Sequence, residues 1–160
     1  MIFYKLIAGV AVLICGMWFH FKREEFEKQK AEQLDSYIKL IAYIKNMIQC
    51  YMMPIDKIIA SCPNDLIWGC GLTDKTNVKT LDELISESDI LLHEDIIDKL
   101  YSFSQEFGTS YLNEQIKSCD KYLDELCRIH KSEHEKRIKD RKISFAICIS
   151  ISLSLVIILI

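Results

Sequence analysis

Between two uncharged apolar runs at the ends of the chain, apolar positions recur three and four residues apart, the period of an α-helix. From Glu24 to Met53 there is neither Gly nor Pro, and Leu34, Ile38, Ile41, Ile44 and Ile48 form one apolar stripe on a helix that runs on from the first apolar run. Pro54 ends that helix or opens a short second one over PIDKIIASC, which Pro63 ends in turn. Residues 63–80, PNDLIWGCGLTDKTNVKT, hold Gly69, Gly71 and several turn formers, so the expectation is a loop with Trp68 as a hydrophobic plug. Thr80 followed by Glu83 has the S/T-x-x-E form of a capping box and places a short helix at LDELISES. A longer helix is expected from His93 to Phe107, with Ile96, Ile97, Leu100, Phe103 and Phe107 on its buried side and Gly108 just past its end. From Tyr111 onward the chain again lacks Gly and Pro, and Leu112, Ile116, Cys119, Leu123 and Leu126 alternate four and three apart as a coiled-coil-like seam. Beyond Ile129 the helix becomes charged on every face. No strand pattern competes, so the fold class is all-α.

The terminal runs turn this helical bundle into a membrane-anchored one. The run 143–160 carries no charge and, at about 1.5 Å per residue, spans roughly 27 Å, close to the hydrocarbon thickness of a bilayer. The first run, Leu6 to Phe19, has the length of a signal-peptide core, but Trp18, Phe19, His20 and Phe21 follow where a small-residue cleavage site would stand. An uncleaved anchor over 1–21 is the reading, with Lys5 snorkelling and Trp18 at the interface. Lys22, Arg23, Lys28 and Lys30 follow the first span; Lys136, Arg137, Lys139, Arg141 and Lys142 precede the second. Both positive flanks belong to the middle of the chain, which is therefore expected in the cytoplasm of a cell-membrane protein with two spans. The domains are then an N-terminal anchor at 1–21, a cytoplasmic helical domain at 22–142 and a C-terminal transmembrane helix at 143–160.

Composition adds a few limits. A chain of 160 residues that is 50% hydrophobic is long and apolar enough for one packed domain. Its seven cysteines include no C-x-x-C, and in a reducing cytoplasm they read as small apolar fillers. The net charge of −3 hides an acidic middle in which Asp82, Glu83, Glu87, Asp89, Glu94, Asp95 and Asp98 cluster, either as a solvated surface or as a docking face for a basic partner. The basic flanks lack interleaved aromatics, so nucleic acid is not an expected partner; membrane lipids are.

Catalytic chemistry has one candidate. His130, Glu133 and His134 match H-x-x-E-H, the inverted zinc-peptidase motif, and would put two imidazoles on one helical face. No third ligand or apolar cleft accompanies them, and a solvated face of a membrane-proximal helix explains the same residues. P-loop, dinucleotide and nucleophile-elbow patterns are absent. The expectation is a protein that is not an enzyme and holds no cofactor or metal. A membrane-anchored zinc hydrolase and a generic membrane-bound regulatory adaptor are the alternatives. In the membrane runs, Ala146, Ser150 and Ser154 repeat every fourth residue, and Ala8, Ala11 and Cys15 make a comparable narrow face. Such small-residue faces pack spans against each other or against a second copy.

Taken in order, a short anchor followed by basic residues, IQCYMMPIDKII, EFG at Glu106 to Gly108, LNEQIK and a basic helix entering a last apolar run resemble the stage III sporulation protein AB family of endospore-forming bacteria. Pro54-Ile55 looks like the family's Pro-Leu, and Phe107, Gly108, Gln115 and Lys117 look like its Phe-Gly and Gln-x-Lys positions. GTSYLNEQ is shorter than the family's segment by about four residues and lacks its Leu-Gly and Ser-Asp, and the last span carries serines and isoleucines in place of glycines. The resemblance implies a helical domain like that of the platform protein of type II secretion. It also implies a non-enzymatic place in the membrane complex joining mother cell to forespore, with a secretion-type ATPase and other sporulation-complex membrane proteins as partners.

Overall fold

The computed structural model of the chain describes residues 2–72, 80–107 and 111–159; within its helices the side chains of 2–9, 12–13, 55–56, 148, 152, 155–156 and 158–159 are not described. Among the described residues all regular structure is helical: α1 (Ile2–Tyr51), α2 (Ile55–Ser61), α3 (Asn64–Gly69), α4 (Leu81–Glu87), α5 (Glu94–Glu106) and α6 (Leu112–Leu159). The all-α expectation holds. Among the described residues, no helix is long and apolar enough to cross a membrane.

The chain divides into two compact units, a central one (30–131) and a terminal one (1–29 with 132–160). Residues 22–29 and 132–142 thus group with the apolar runs, and the central unit is narrower than the 22–142 read from charge placement.

The central unit owns the core. Leu34, Tyr37, Leu40, Ile41, Ile44 and Ile48 of α1 are buried with Ile58 and Ile59 of α2, Ile67 of α3, Leu84 and Ile85 of α4, Leu100 and Phe103 of α5, and Cys119, Tyr122 and Leu126 of α6. Fully burying one such side chain is worth about 1.5–3 kcal/mol. Lys99 pairs with Glu125, and the Glu106 carboxylate accepts from Tyr122 and Ser118, so α5 and α6 run antiparallel. Lys45 pairs with Asp120 at 2.5 Å and brings α1 to the same stretch of α6.

Several local expectations hold and others are corrected. The Thr80 capping box forms: the Glu83 N–H donates to Thr80 Oγ1 and the Thr80 N–H to Glu83 Oε2, each at 3.2 Å. The segment after Pro63 is not all loop, since Pro63 caps the short helix α3. Trp68 is no plug; it is 57% exposed, while Ile67 and Cys70, three apart and so on one side of that turn, point inward. The α6 seam is also shifted. Leu112 is exposed and Ile116 and Leu123 are half-buried, whereas Tyr122 joins Cys119 and Leu126 in the core. Wedged against two helices rather than one, α6 buries a wider face than a two-stranded seam needs. On α1 likewise, Tyr37 and Leu40 are buried and Ile38 only partly so.

Candidate functional site

At one end of the central unit, a buried amide organises three segments. Gln33 Nε2 donates to the carbonyls of Cys70 (3.0 Å) and Asp89 (2.7 Å), and its Oε1 accepts from the Leu91 N–H (2.8 Å). The Asp89 N–H donates in turn to the Gly71 carbonyl at 3.1 Å. Gly71 sits at φ 101°, and a Cβ there would meet Asp89 O at 2.5 Å and Gln33 Nε2 at 2.6 Å. Only glycine fits, on both conformational and steric grounds. The node anchors the connections after α3 and α4 to α1.

The opposite end joins α5 to α6. The ring of Phe107, 7% exposed, packs tilted against Phe103 with centroids 5.2 Å apart, and Phe103 does the same against Tyr122 at 5.2 Å. The Tyr122 hydroxyl donates to Glu106 Oε1 at 3.0 Å, the Ser118 hydroxyl to Glu106 Oε2 at 3.1 Å, and Lys121 lies 3.7 Å from that carboxylate. A carboxylate in the last turn of α5 opposes the helix dipole, so its neighbours on α6 are what hold it there. Burial, then the Glu106 carboxylate, push the Tyr122 hydroxyl up to about 12. Of the residues singled out from the sequence, Phe107 is therefore core, Pro54 and Lys117 are exposed and Gln115 is half-buried; Gly108 lies outside the described residues. Pro54 is the N-cap of α2, its carbonyl accepting from the N–H groups of Lys57 and Ile58. Nearby helix ends leave apolar side chains in the open: Tyr51, Met52 and Tyr111 are exposed, Met52 with φ 48° in the left-handed region.

In the terminal unit, polar contacts join α1 to α6 in antiparallel order. Ser144 Oγ lies 3.4 Å from His20 Nδ1, Arg141 Nε lies 2.8 Å from Glu24 Oε1, and Arg137 Nη1 donates to the Glu27 carbonyl at 3.3 Å. His20 also lies 5.8 Å from the Phe145 ring. Ala146, Ser150 and Ser154 are exposed, and the two hydroxyls donate to carbonyls four residues back in their own helix. At 100° per residue Ala146 and Ser150 face away from Ser144, the position that meets α1, while Ser154 comes back to about 80° from it.

Metal chemistry finds no support in the geometry. No group of three or more His, Cys, Asp or Glu side chains that could hold a metal ion occurs among the described residues. His134 Nδ1 instead lies 3.4 Å from Arg137 Nη2. Cys70 and Cys119 are buried free thiols pushed up by desolvation to about 12 and about 11, the opposite of what a nucleophile or metal ligand needs.

Gln33 and Tyr122 were not singled out from the sequence, Gly71 only as a turn former and Glu106 only within EFG. The first had a legible signal, since Gln33, Tyr37, Ile41, Ile44 and Ile48 share one helical row. No protein-family model, no curated protein and no solved structure matches the chain.

Proposed function

We propose that the chain is a non-enzymatic, membrane-anchored adaptor whose helical domain lies in the cytoplasm and docks protein partners. The observation that carries the anchoring is the state of the terminal unit. None of its described side chains is buried, yet Val10, Ile14, Met17, Trp18, Phe19 and Phe21 of α1 and Ile143, Phe145, Ile147, Ile149, Ile151, Leu153 and Ile157 of α6 are exposed. An exposed apolar surface of this extent calls for a cover, and lipid is the cover that suits two helices with apolar side chains on all sides.

The adaptor role is supported by the central unit, a packed bundle whose buried Gln33 amide is spent on structure, and by α1 and α6, each an unbroken helix that also carries an apolar run. The sporulation setting rests on the order of IQCYMMPIDKII, EFG and LNEQIK along the chain. In that setting the partners are other membrane proteins of the mother cell–forespore channel and a secretion-type ATPase. The exposed end that carries Tyr51, Met52, Pro54 and Tyr111 is the surface we assign to ATPase docking.

The test is deletion of the gene in its own organism, scored as heat-resistant spores with vegetative growth as the control. Loss of spores with normal growth, restored by a copy in trans, is the expected result; undiminished sporulation removes this role.

A further inference from the structure

The anchored reading leaves open what the basic girdle of the terminal unit is for, and its ion pairing narrows the answer. Arg141 is spent on Glu24, Arg137 on the Glu27 carbonyl, and Lys22 on Glu25 at 3.0 Å. Among the described residues Arg23, Lys139 and Lys142 are exposed and make no ion pair, although Glu24, Glu25 and Asp140 adjoin them in sequence.

Their directions follow from the helix geometry. With Glu24 and Arg141 facing each other, stepping back to Arg23 turns 100° on α1. Stepping on to Lys142 turns 100° on α6, which runs the other way, so the two side chains leave the helix pair on opposite sides. Lys139, two residues before Arg141, is turned about 200° and faces outward from α1. The antiparallel order also sets their depth: Arg23 and Lys142 stand at one level, and Lys139 is about one helical turn from them. Immediately on the apolar side stand the exposed rings of Trp18, Phe19, Phe21 and Phe145.

Unpaired cations on three sides, bordered by an aromatic ring on one side only, match a layer of anionic headgroups surrounding the helix pair. They do not match a single acidic protein surface, which would meet one side. We propose that Arg23, Lys139 and Lys142 bind the phosphates of anionic phospholipids and make the terminal helix pair selective for them. The inference rests on the anchored reading and adds to it a preference among lipids.

The experiment uses the full-length chain carrying Trp68→Phe, which leaves Trp18 as the single tryptophan. It is reconstituted in phosphatidylcholine vesicles containing brominated phosphatidylglycerol or brominated phosphatidylcholine, and quenching of Trp18 is compared. The expected result is an about five-fold preference for the anionic lipid, the ratio for one cation engaged per headgroup, shrinking at high salt. Arg23→Gln/Lys139→Gln/Lys142→Gln should keep the quenching and lose the preference. Equal quenching by both lipids in the unaltered girdle overturns lipid selectivity while leaving the anchor intact; absence of quenching by either overturns the anchor itself. A preference abolished by inorganic phosphate, but not by chloride at equal ionic strength, would mark a site for free phosphate and also overturn the proposal.

Discussion

Nε2 of Gln33 donates to the carbonyl of Asp89 at 2.7 Å across 56 residues of chain, and the same nitrogen is the atom that a Cβ on Gly71 would strike at 2.6 Å. One amide therefore ties α1 to two connections and requires a bare backbone beside it. Gln33→Leu should remove three hydrogen bonds and leave the Cys70 and Asp89 carbonyls and the Leu91 N–H unpaired, a loss of about 3 kcal/mol. Gly71→Ala should cost at least 2 kcal/mol or so, through its positive φ and the two close contacts. Because both changes disrupt the same node, the double variant should lose clearly less than their sum. Denaturant unfolding of the four proteins in one detergent measures this; strict additivity would mean the node is not a unit.

The Tyr37 hydroxyl is buried without a hydrogen-bond partner among the described residues, and the Ser88 hydroxyl nearby donates to the Leu84 carbonyl at 2.6 Å. Burial pushes that hydroxyl well above its ordinary range. An unpaired buried hydroxyl costs about 1–3 kcal/mol, and phenylalanine keeps the ring's packing. Tyr37→Phe should therefore raise stability by about 1 kcal/mol, seen as a higher denaturation midpoint at unchanged slope. A lower midpoint would show that the hydroxyl is satisfied.

Alkaline sensitivity follows from the buried acids, three of them besides Tyr37. The Cys70 and Cys119 thiols are raised from an ordinary 9.0 to about 12 and about 11, and Tyr122 from 10.0 to about 12. Each holds its proton more tightly folded than unfolded. Their contribution is complete below pH 9.0, where both states are protonated, and is lost as pH rises through 9.0 towards about 12. Stability should be level from neutrality to about pH 9 and then fall, with a shallower fall in Cys70→Ala. Urea midpoints across that range check it. A fall beginning below pH 9, or one unaltered by the substitution, would assign the alkaline limb to other groups.

How far these features were legible follows from which physical signal each one carries. The period of α1 and α5 and the Thr80–Glu83 box are written locally, in spacing and capping chemistry, and the chain folds accordingly. Trp68 misleads because hydrophobicity says nothing about which side of a single turn faces inward; the packing of Ile67 and Cys70 decides that. Tyr122 stands three after Cys119 and four before Leu126, so the four-three rule admits it as readily as Leu123; Phe103 on α5, with the Glu106 carboxylate accepting from its hydroxyl, decides between the two. The role of Gly71 depends on Gln33 and Asp89, which are far from it in sequence, so no local pattern could disclose it. The candidate interaction residues divide in the same way. Phe107 was legible as apolar and proves to be core, while the exposed Pro54 and Lys117 have only their order in the chain to recommend them.

Arg141 and Glu24 meet at 2.8 Å on neighbouring helices of the terminal unit, between the Ser144–His20 and Arg137–Glu27 contacts. On helices with apolar neighbours this polar ladder is the feature that fixes which residue of α1 lies beside which of α6. Exposed ion pairs contribute about 0–1 kcal/mol, so charge reversal should affect register more than fold. Glu24→Arg alone sets two guanidinium groups against each other. It should lower the yield of an engineered disulfide between His20→Cys and Ser144→Cys, the neighbouring rung. Adding Arg141→Glu restores opposite charges at the rung and should restore the yield, with the central unit's unfolding unchanged throughout. If the single reversal leaves the disulfide yield intact, helix register is set by the apolar side chains and the ion pair is incidental to it.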